Sequence, residues 1–366
     1  MKLWILIICS GFPFVGWIFP QSASRLTGPG DKNEPQLAAS GRSSSAPLMK
    51  LSEYGFFSGS LSGQEPAEGV VPYHLNTPLF TDYAEKLRFV KLPAGSKVIY
   101  NDSAVFNFPV GTSLIKTFYY PNDFRDPSKG RRLMETRILV HEPGGWKALP
   151  YIWNAEQTDA ILDVAGETAK VNYIDDRGRK QSRDYIIPNM NQCKGCHNKA
   201  EVIMPIGPTA WQLNGEHNYG AATENQLGHW NNSGMLEGYP GAANIPKGVV
   251  WNDPATGTLE ERARIWLDIN CAHCHRGDGP AGSSGLQLGW LEKDPLKIGV
   301  EKTPVAAGRG SGGLTFDIVP GKPDESIILY RIKSADPGIM MPELGRTIAQ
   351  PEAISLVSAW IKEMKN

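Results

Sequence analysis

The chain of 366 residues has no cysteine to spare for a disulfide: of five, four fall in two pentapeptides and Cys9 lies in an apolar N-terminal run. A chain this long buries enough apolar surface to fold without such staples. It also lacks a charge surplus, since 37 lysines and arginines against 38 aspartates and glutamates leave a net charge of −1. No basic stripe interrupts that balance, which sets a nucleic-acid partner aside. Protein docking stays open, because it depends on a local patch rather than on the total. Beyond Phe19 no apolar run is long enough to span a bilayer, and no internal period marks a propeller or solenoid.

Histidine is scarce too. Two of the seven close the pentapeptides Cys193-Lys194-Gly195-Cys196-His197 and Cys271-Ala272-His273-Cys274-His275. Each reads C-x-x-C-H, the attachment signature of a c-type haem. Cysteines three apart on a helical turn present both thiols on one side, where they can add to the two vinyl groups of one porphyrin. The histidine that follows supplies the proximal imidazole. The spacing predicts two covalently attached haem c groups, held by Cys193, Cys196 and His197 and by Cys271, Cys274 and His275. A four-thiolate zinc site would leave both histidines unexplained, and a dithiol redox centre needs no trailing histidine.

Met1-Lys2, the apolar run Leu3 to Phe19 and Gln21-Ser22-Ala23-Ser24 read as a secretory leader cut after Ala23 or Ser24. Gly11, Pro13 and Gly16 interrupt the run, which argues against an uncleaved anchor. The expected location is periplasmic or exported, with membrane attachment only if the leader is retained or Cys9 is lipidated. After the 1–23 signal peptide, residues 24–47 are rich in Ser, Gly and Pro and read as a flexible linker. Residues 48–188 carry short β runs at about ten-residue spacing, with turn signals at Glu142-Pro143-Gly144-Gly145 and Asp175-Asp176-Arg177-Gly178. They predict an N-terminal antiparallel β-sandwich or jelly-roll-like domain. Residues 189–257 form a first haem-binding segment of short helices and long loops. Residues 258–366 open on a helix capped by Thr258, with Leu259, Ala263, Trp266 and Leu267 on one face, and close on a helix from Pro351 with Ile354, Val357 and Ile361 on one face.

A helix leading into C-x-x-C-H, with an amphipathic helix closing the domain, resembles a class I cytochrome c. The expected architecture is thus multidomain, the β domain being followed by mainly α cytochrome c-like haem domains. In that family a Met-Pro loop before the last helix supplies the sixth ligand, and the resemblance puts Met341, before Pro342, in that role ahead of Met340. A thioether opposite histidine raises the potential. For the first iron Met204, His217, His229, Met190 and Met235 are alternatives, and an open iron is another. His74, Asp82 and His141 have no spacing that demands a metal. Gly308 to Gly313 lacks the features of a phosphate loop and reads as a flexible loop.

The chain also resembles a bacterial family of dihaem c-type proteins of unsettled role. The likeness rests on Leu51-Ser52-Glu53-Tyr54-Gly55-Phe56-Phe57, on Tyr73 to Tyr83, on Pro188-Asn189, on Pro205-Ile206-Gly207-Pro208, on Asp268 to His275 and on Met341 to Arg346. It covers nearly everything after the linker. His74 departs from it, where the family is more often acidic. The haem half is more loosely similar to cytochrome modules appended to quinoprotein sugar dehydrogenases. These likenesses imply a periplasmic dihaem cytochrome transferring electrons between redox protein partners, with a periplasmic dehydrogenase among the candidate donors. An electron carrier or electron-transfer subunit is expected ahead of a stand-alone enzyme. The alternatives are a dihaem peroxidase or oxidase with an open first iron, and a surface- or glycan-binding module carrying haems.

Overall fold

The computed structural model describes residues 46–246 and 248–365, so the leader, Cys9 and nearly all of the linker lie outside the described residues. The main sheet has six antiparallel strands: β1 (Val70–Pro72), β2 (Glu85–Lys91), β3 (Ser113–Pro121), β4 (Arg131–Glu142), β5 (Gly145–Trp153) and β6 (Ala160–Leu162). They lie side by side in chain order. Pro143 and Gly144 form the two-residue loop between β4 and β5, and Gly145 enters β5 at φ +112, which only glycine adopts without strain.

Successive residues of a strand face opposite sides of a sheet. Phe89, Ile115, Ile138 and Leu149 meet on one side and bury themselves with Leu51 and Phe56. Each such burial stabilises by roughly 1.5–3 kcal/mol relative to exposure. On the other side Val90, Leu114 and Trp146 pack against Ala210, Leu213, Leu227 and Trp230. Those last four belong to α2 (Ala210–Leu213) and α3 (Gln226–Asn232), which follow α1 (Met190–Cys196). A separate hairpin, β7 (Glu167–Ile174) with β8 (Lys180–Ile187), lays Tyr173 and Tyr185 against Phe118 and Tyr120.

This overturns the expected sandwich or jelly roll. Among the described residues one six-stranded sheet is present with five separate two-stranded pairs, and its second layer comes largely from short helices and loops of residues 190–246. Strand spacing revealed the sheet but not its cover, because the covering apolar residues lie in irregular chain. The mainly α haem domain is likewise corrected: the structure is mostly β, 27% strand and 25% helix, with seven α-helices among the described residues. Among the described residues of 258–366 the α-helices are α4 (Leu259–Leu267), α5 (Pro295–Ile298), α6 (Ile327–Lys333) and α7 (Pro351–Glu363). The connections between them are long, irregular and rich in Gly and Pro, which break regular structure.

The two long helices form for local reasons. The Thr258 hydroxyl accepts from Glu261 N at 3.2 Å, and a Glu261 carboxylate oxygen accepts from Thr258 N at 2.8 Å, closing a capping box. Pro351 occupies the first turn of α7, where its missing N–H costs nothing. The helices share a core of Ala263, Trp266, Leu267, Ala353, Val357 and Trp360. A π turn, Asp268–Ala272, then carries α4 into the second pentapeptide. Residues 45–366 make one compact unit, so the sheet and both pentapeptides share one body. Among the described residues no helix is long and apolar enough to cross a membrane.

Candidate functional site

The two pentapeptides adopt the same local turn. Helix α1 starts at a capping box in which the Asn189 side chain accepts from Gln192 N and the Gln192 side chain accepts from Asn189 N. Its last turn carries Cys193 and Cys196, and His197 N donates to Cys193 O at 2.9 Å. In the second pentapeptide His275 N donates to Cys271 O, also at 2.9 Å. Each histidine is thereby wound back over its own first cysteine.

Among the described residues each imidazole is held through Nδ1 alone. His197 Nδ1 lies 3.0 Å from Met204 O, and a carbonyl can only accept, so Nδ1 carries the proton. His275 Nδ1 lies 3.0 Å from Ser284 Oγ, whose own proton goes to Ala281 O at 2.7 Å, so again the ring nitrogen donates. This tautomer leaves Nε2 of each ring with a free lone pair, the form in which histidine binds a metal. Burial pushes both imidazoles down to about 4, which keeps them neutral around pH 7.

The pentapeptides also touch one another. Sγ of Cys196, a ring nitrogen of His273 and Sγ of Cys274 lie within 4.8 Å of one another. Cys274 Sγ approaches Gly195 O at 3.7 Å. Arg276 Nη2 donates to Asn198 O at 3.1 Å, and Ala200 N donates to Asp278 O at 2.8 Å. Arg276 to Pro280 is the turn expected from sequence, and a Cβ at Gly279 would collide with the Cys274 carbonyl. No disulfide joins the four cysteines, which are free thiols. The hydrogen bond from Cys274 pulls the Cys196 thiol down to about 4, and its counterpart at Cys274 is pushed up.

Three cavities surround this junction. One of about 540 Å³ is walled by Cys271, Cys274, His275, Ile318 and Met341. Another, of about 580 Å³, is walled by His197, Met204, Arg88, Lys116 and Trp290. A third, of about 100 Å³, shares lining residues with both and is walled by Cys193, Cys196, His197 and Met341. The two larger ones fall in the range of roughly 300–1,000 Å³ usual for small-molecule sites. No family model, curated protein or solved structure matches this chain.

Of the two candidate methionines, Met341 borders cavities walled by both pentapeptides, whereas Met340 is 7% exposed and borders none of the three. Arg346 holds the Met341 carbonyl through Nε at 3.1 Å and Nη2 at 2.7 Å. The alternatives expected beside the first pentapeptide separate by position. Met204 places its backbone carbonyl on His197 Nδ1, the side of the ring away from Nε2, and borders the same cavity as His197. His217 Nδ1 pairs with His74 Nδ1 at 2.9 Å, and His229 Nδ1 with Glu224 at 2.8 Å. Met190 and Met235 pack into the cores on opposite faces of the sheet.

His74, Asp82 and His141 do not converge. His74 faces His217, His141 stacks on Trp146, and Asp82 binds the backbone of Thr347 and Ile348. Gly308–Ser311 is a 3-10 turn beside the Arg309–Asp336 ion pair at 2.6 Å. One residue escaped the sequence reading altogether. His273, inside the second C-x-x-C-H, is 5% exposed, borders all three cavities, and its Nδ1 has no partner among the described residues. Its only sequence signal was a histidine at a position of the motif that tolerates any residue.

Proposed function

We propose that this chain is a dihaem c-type electron-transfer protein, with Cys193, Cys196 and His197 holding one haem and Cys271, Cys274 and His275 the other. The observation that carries this reading is shared by the two turns. In each, the histidine Nδ1 proton is engaged and Nε2 is bare, on a ring that borders a cavity next to its own cysteines. Bound haem iron would supply reversible one-electron chemistry. The residues do the rest. Met204 O and Ser284 Oγ orient the imidazoles, Met341 offers a thioether on a loop anchored by Arg346, and His273 offers a second imidazole at the junction.

The contact between the pentapeptides supports internal electron exchange. With Cys196 and Cys274 side by side, the groups they hold would be neighbours, and a neighbour accepts an electron without a docking step. The docked partner is then a redox protein, and export through the leader would put both in the periplasm. The test is covalent haem content. Purified protein should retain two haems per chain through acid–acetone extraction, and Cys196→Ala should leave the 271–275 site loaded. Haem that extracts fully into solvent would overturn the reading.

A second reading rests on the cluster itself. Two thiols and an imidazole within 4.8 Å make a soft-metal site of zinc or copper type. Thioether formation would consume the thiolates, so the two readings exclude each other at Cys196 and Cys274. Elemental analysis separates them: iron at two per chain supports haem, and stoichiometric zinc or copper without covalent haem supports the cluster.

A further inference from the structure

Three cations stand abreast on the face of the sheet that looks toward the first pentapeptide. Arg88 of β2 is the register partner of Lys116 of β3, and Lys116 is the register partner of Arg137 of β4. Directly opposed side chains in an antiparallel sheet lie about 4.5–5.5 Å apart at Cβ, and like charges so placed repel. Arg137 has its counter-ion: Nε donates to Glu135 Oε2 at 2.7 Å. The other two do not. Among the described residues no carboxylate pairs with Arg88 or Lys116, Arg88 is 6% exposed, and its Nη2 has no hydrogen-bond acceptor. The nearest relief for Lys116 is the Phe118 ring, 4.8 Å from Nζ.

A buried guanidinium and a half-buried ammonium without counter-ions are stabilised when an anion meets them. Their surroundings say where it enters. Arg88, Lys116 and Arg137 all border the cavity of about 580 Å³ that His197 also borders. Lys116 and Arg137 border as well the smaller cavity walled by Cys193 and Cys196. All three cations thus share a cavity with His197, and two of them share another with both cysteines. Burial, then the neighbouring Arg88 and Arg137, holds the Lys116 amine well below its usual range, as expected of a cation lacking a counter-charge.

The geometry points to the Arg88–Lys116 pair as a seat for two carboxylates, those of the porphyrin held by Cys193 and Cys196. This rests on reading the first pentapeptide as a haem site. The guanidinium fork suits one carboxylate in two-point fashion and the ammonium suits the other as a point charge. The same chemistry would accept a free dicarboxylate, so the test has two arms.

The first arm is a spectroscopic redox titration of the haem-loaded protein carrying Arg88→Met or Lys116→Met, with Lys116→Arg as the charge-preserving control. Positive charge near an iron favours its reduced state. Each methionine variant should therefore lower the midpoint of one haem and leave the other unmoved, and Lys116→Arg should keep the wild-type value. The second arm is calorimetry of succinate with loaded wild-type protein, which should show no binding because the seat is filled. Loaded haem with both midpoints unmoved overturns the seat alone. Succinate binding that disappears in Lys116→Met overturns the haem as its occupant. Protein without covalent haem overturns the reading of the pentapeptide and, with it, this occupant.

Discussion

Asp82 ties the strand side of the molecule to the loop that carries Met341. The residue is 4% exposed, and its carboxylate accepts from Thr347 N at 2.8 and 2.9 Å, Thr347 Oγ1 at 2.7 Å and Ile348 N at 3.2 Å. Removing it with Asp82→Ala deletes the acceptor of three donors. Hydrogen bonds to a charged group contribute about 1.5–3 kcal/mol each, so the sum of roughly 5–9 is a ceiling. Water entry and loop relaxation should bring the loss to about 3–5 kcal/mol, the upper range for single substitutions. Asp82→Asn keeps one acceptor oxygen and should lose about half as much. Asp82 also sits at φ +46, a left-handed conformation that costs an L residue roughly 1–2 kcal/mol. Asp82→Gly should therefore be less destabilised than Asp82→Ala by about that amount, an ordering that simple loss of side-chain volume does not give. The assay is urea unfolding of the four proteins at pH 7, read as the midpoint at constant slope. An Asp82→Ala protein within about 1 kcal/mol of wild type would refute the clamp.

Met341→Ala should lower the potential of one haem and remove the weak long-wavelength band expected of methionine-bound ferric iron, whereas Met340→Ala should leave both intact; the reverse result transfers the role to Met340. His273→Ala should speed carbon monoxide binding to one reduced haem if its imidazole occupies an axial position, and an unchanged rate would reduce His273 to a wall of the junction. Arg346→Lys keeps the charge but loses the fork on the Met341 carbonyl, so the long-wavelength band should weaken with heating earlier than in wild type, and an identical thermal profile would show that the Asp82 contacts hold the loop alone.

Much of the local structure was legible from the residues. The C-x-x-C-H spacing placed two cysteines and the next histidine on one helical turn without any fold, a turn that both pentapeptides adopt. The strand segments at 88–91, 137–140 and 146–149 were readable because alternation and turn residues act over a few positions. The Thr258 cap and Pro351 were equally local. The arrangement of these pieces was another matter. The sandwich expectation failed because what covers a sheet face depends on chain more than fifty residues away, as Leu213 and Trp230 do over Val90 and Leu114. The mainly α expectation failed because two amphipathic helices say nothing about the irregular chain between them.

The sequence by itself determined the local turn of each C-x-x-C-H and the starts of the helices at Leu259 and Pro351, since those depend on residues within a turn of one another. Only the tertiary structure decided that the two pentapeptides meet, that His273 is buried among three cavities, that Asp82 holds Thr347, and that Arg88, Lys116 and Arg137 stand in one row. Each of these pairs residues between about twenty and 265 positions apart. Strand register and long-range burial set such neighbours, and no period within either segment carries that information.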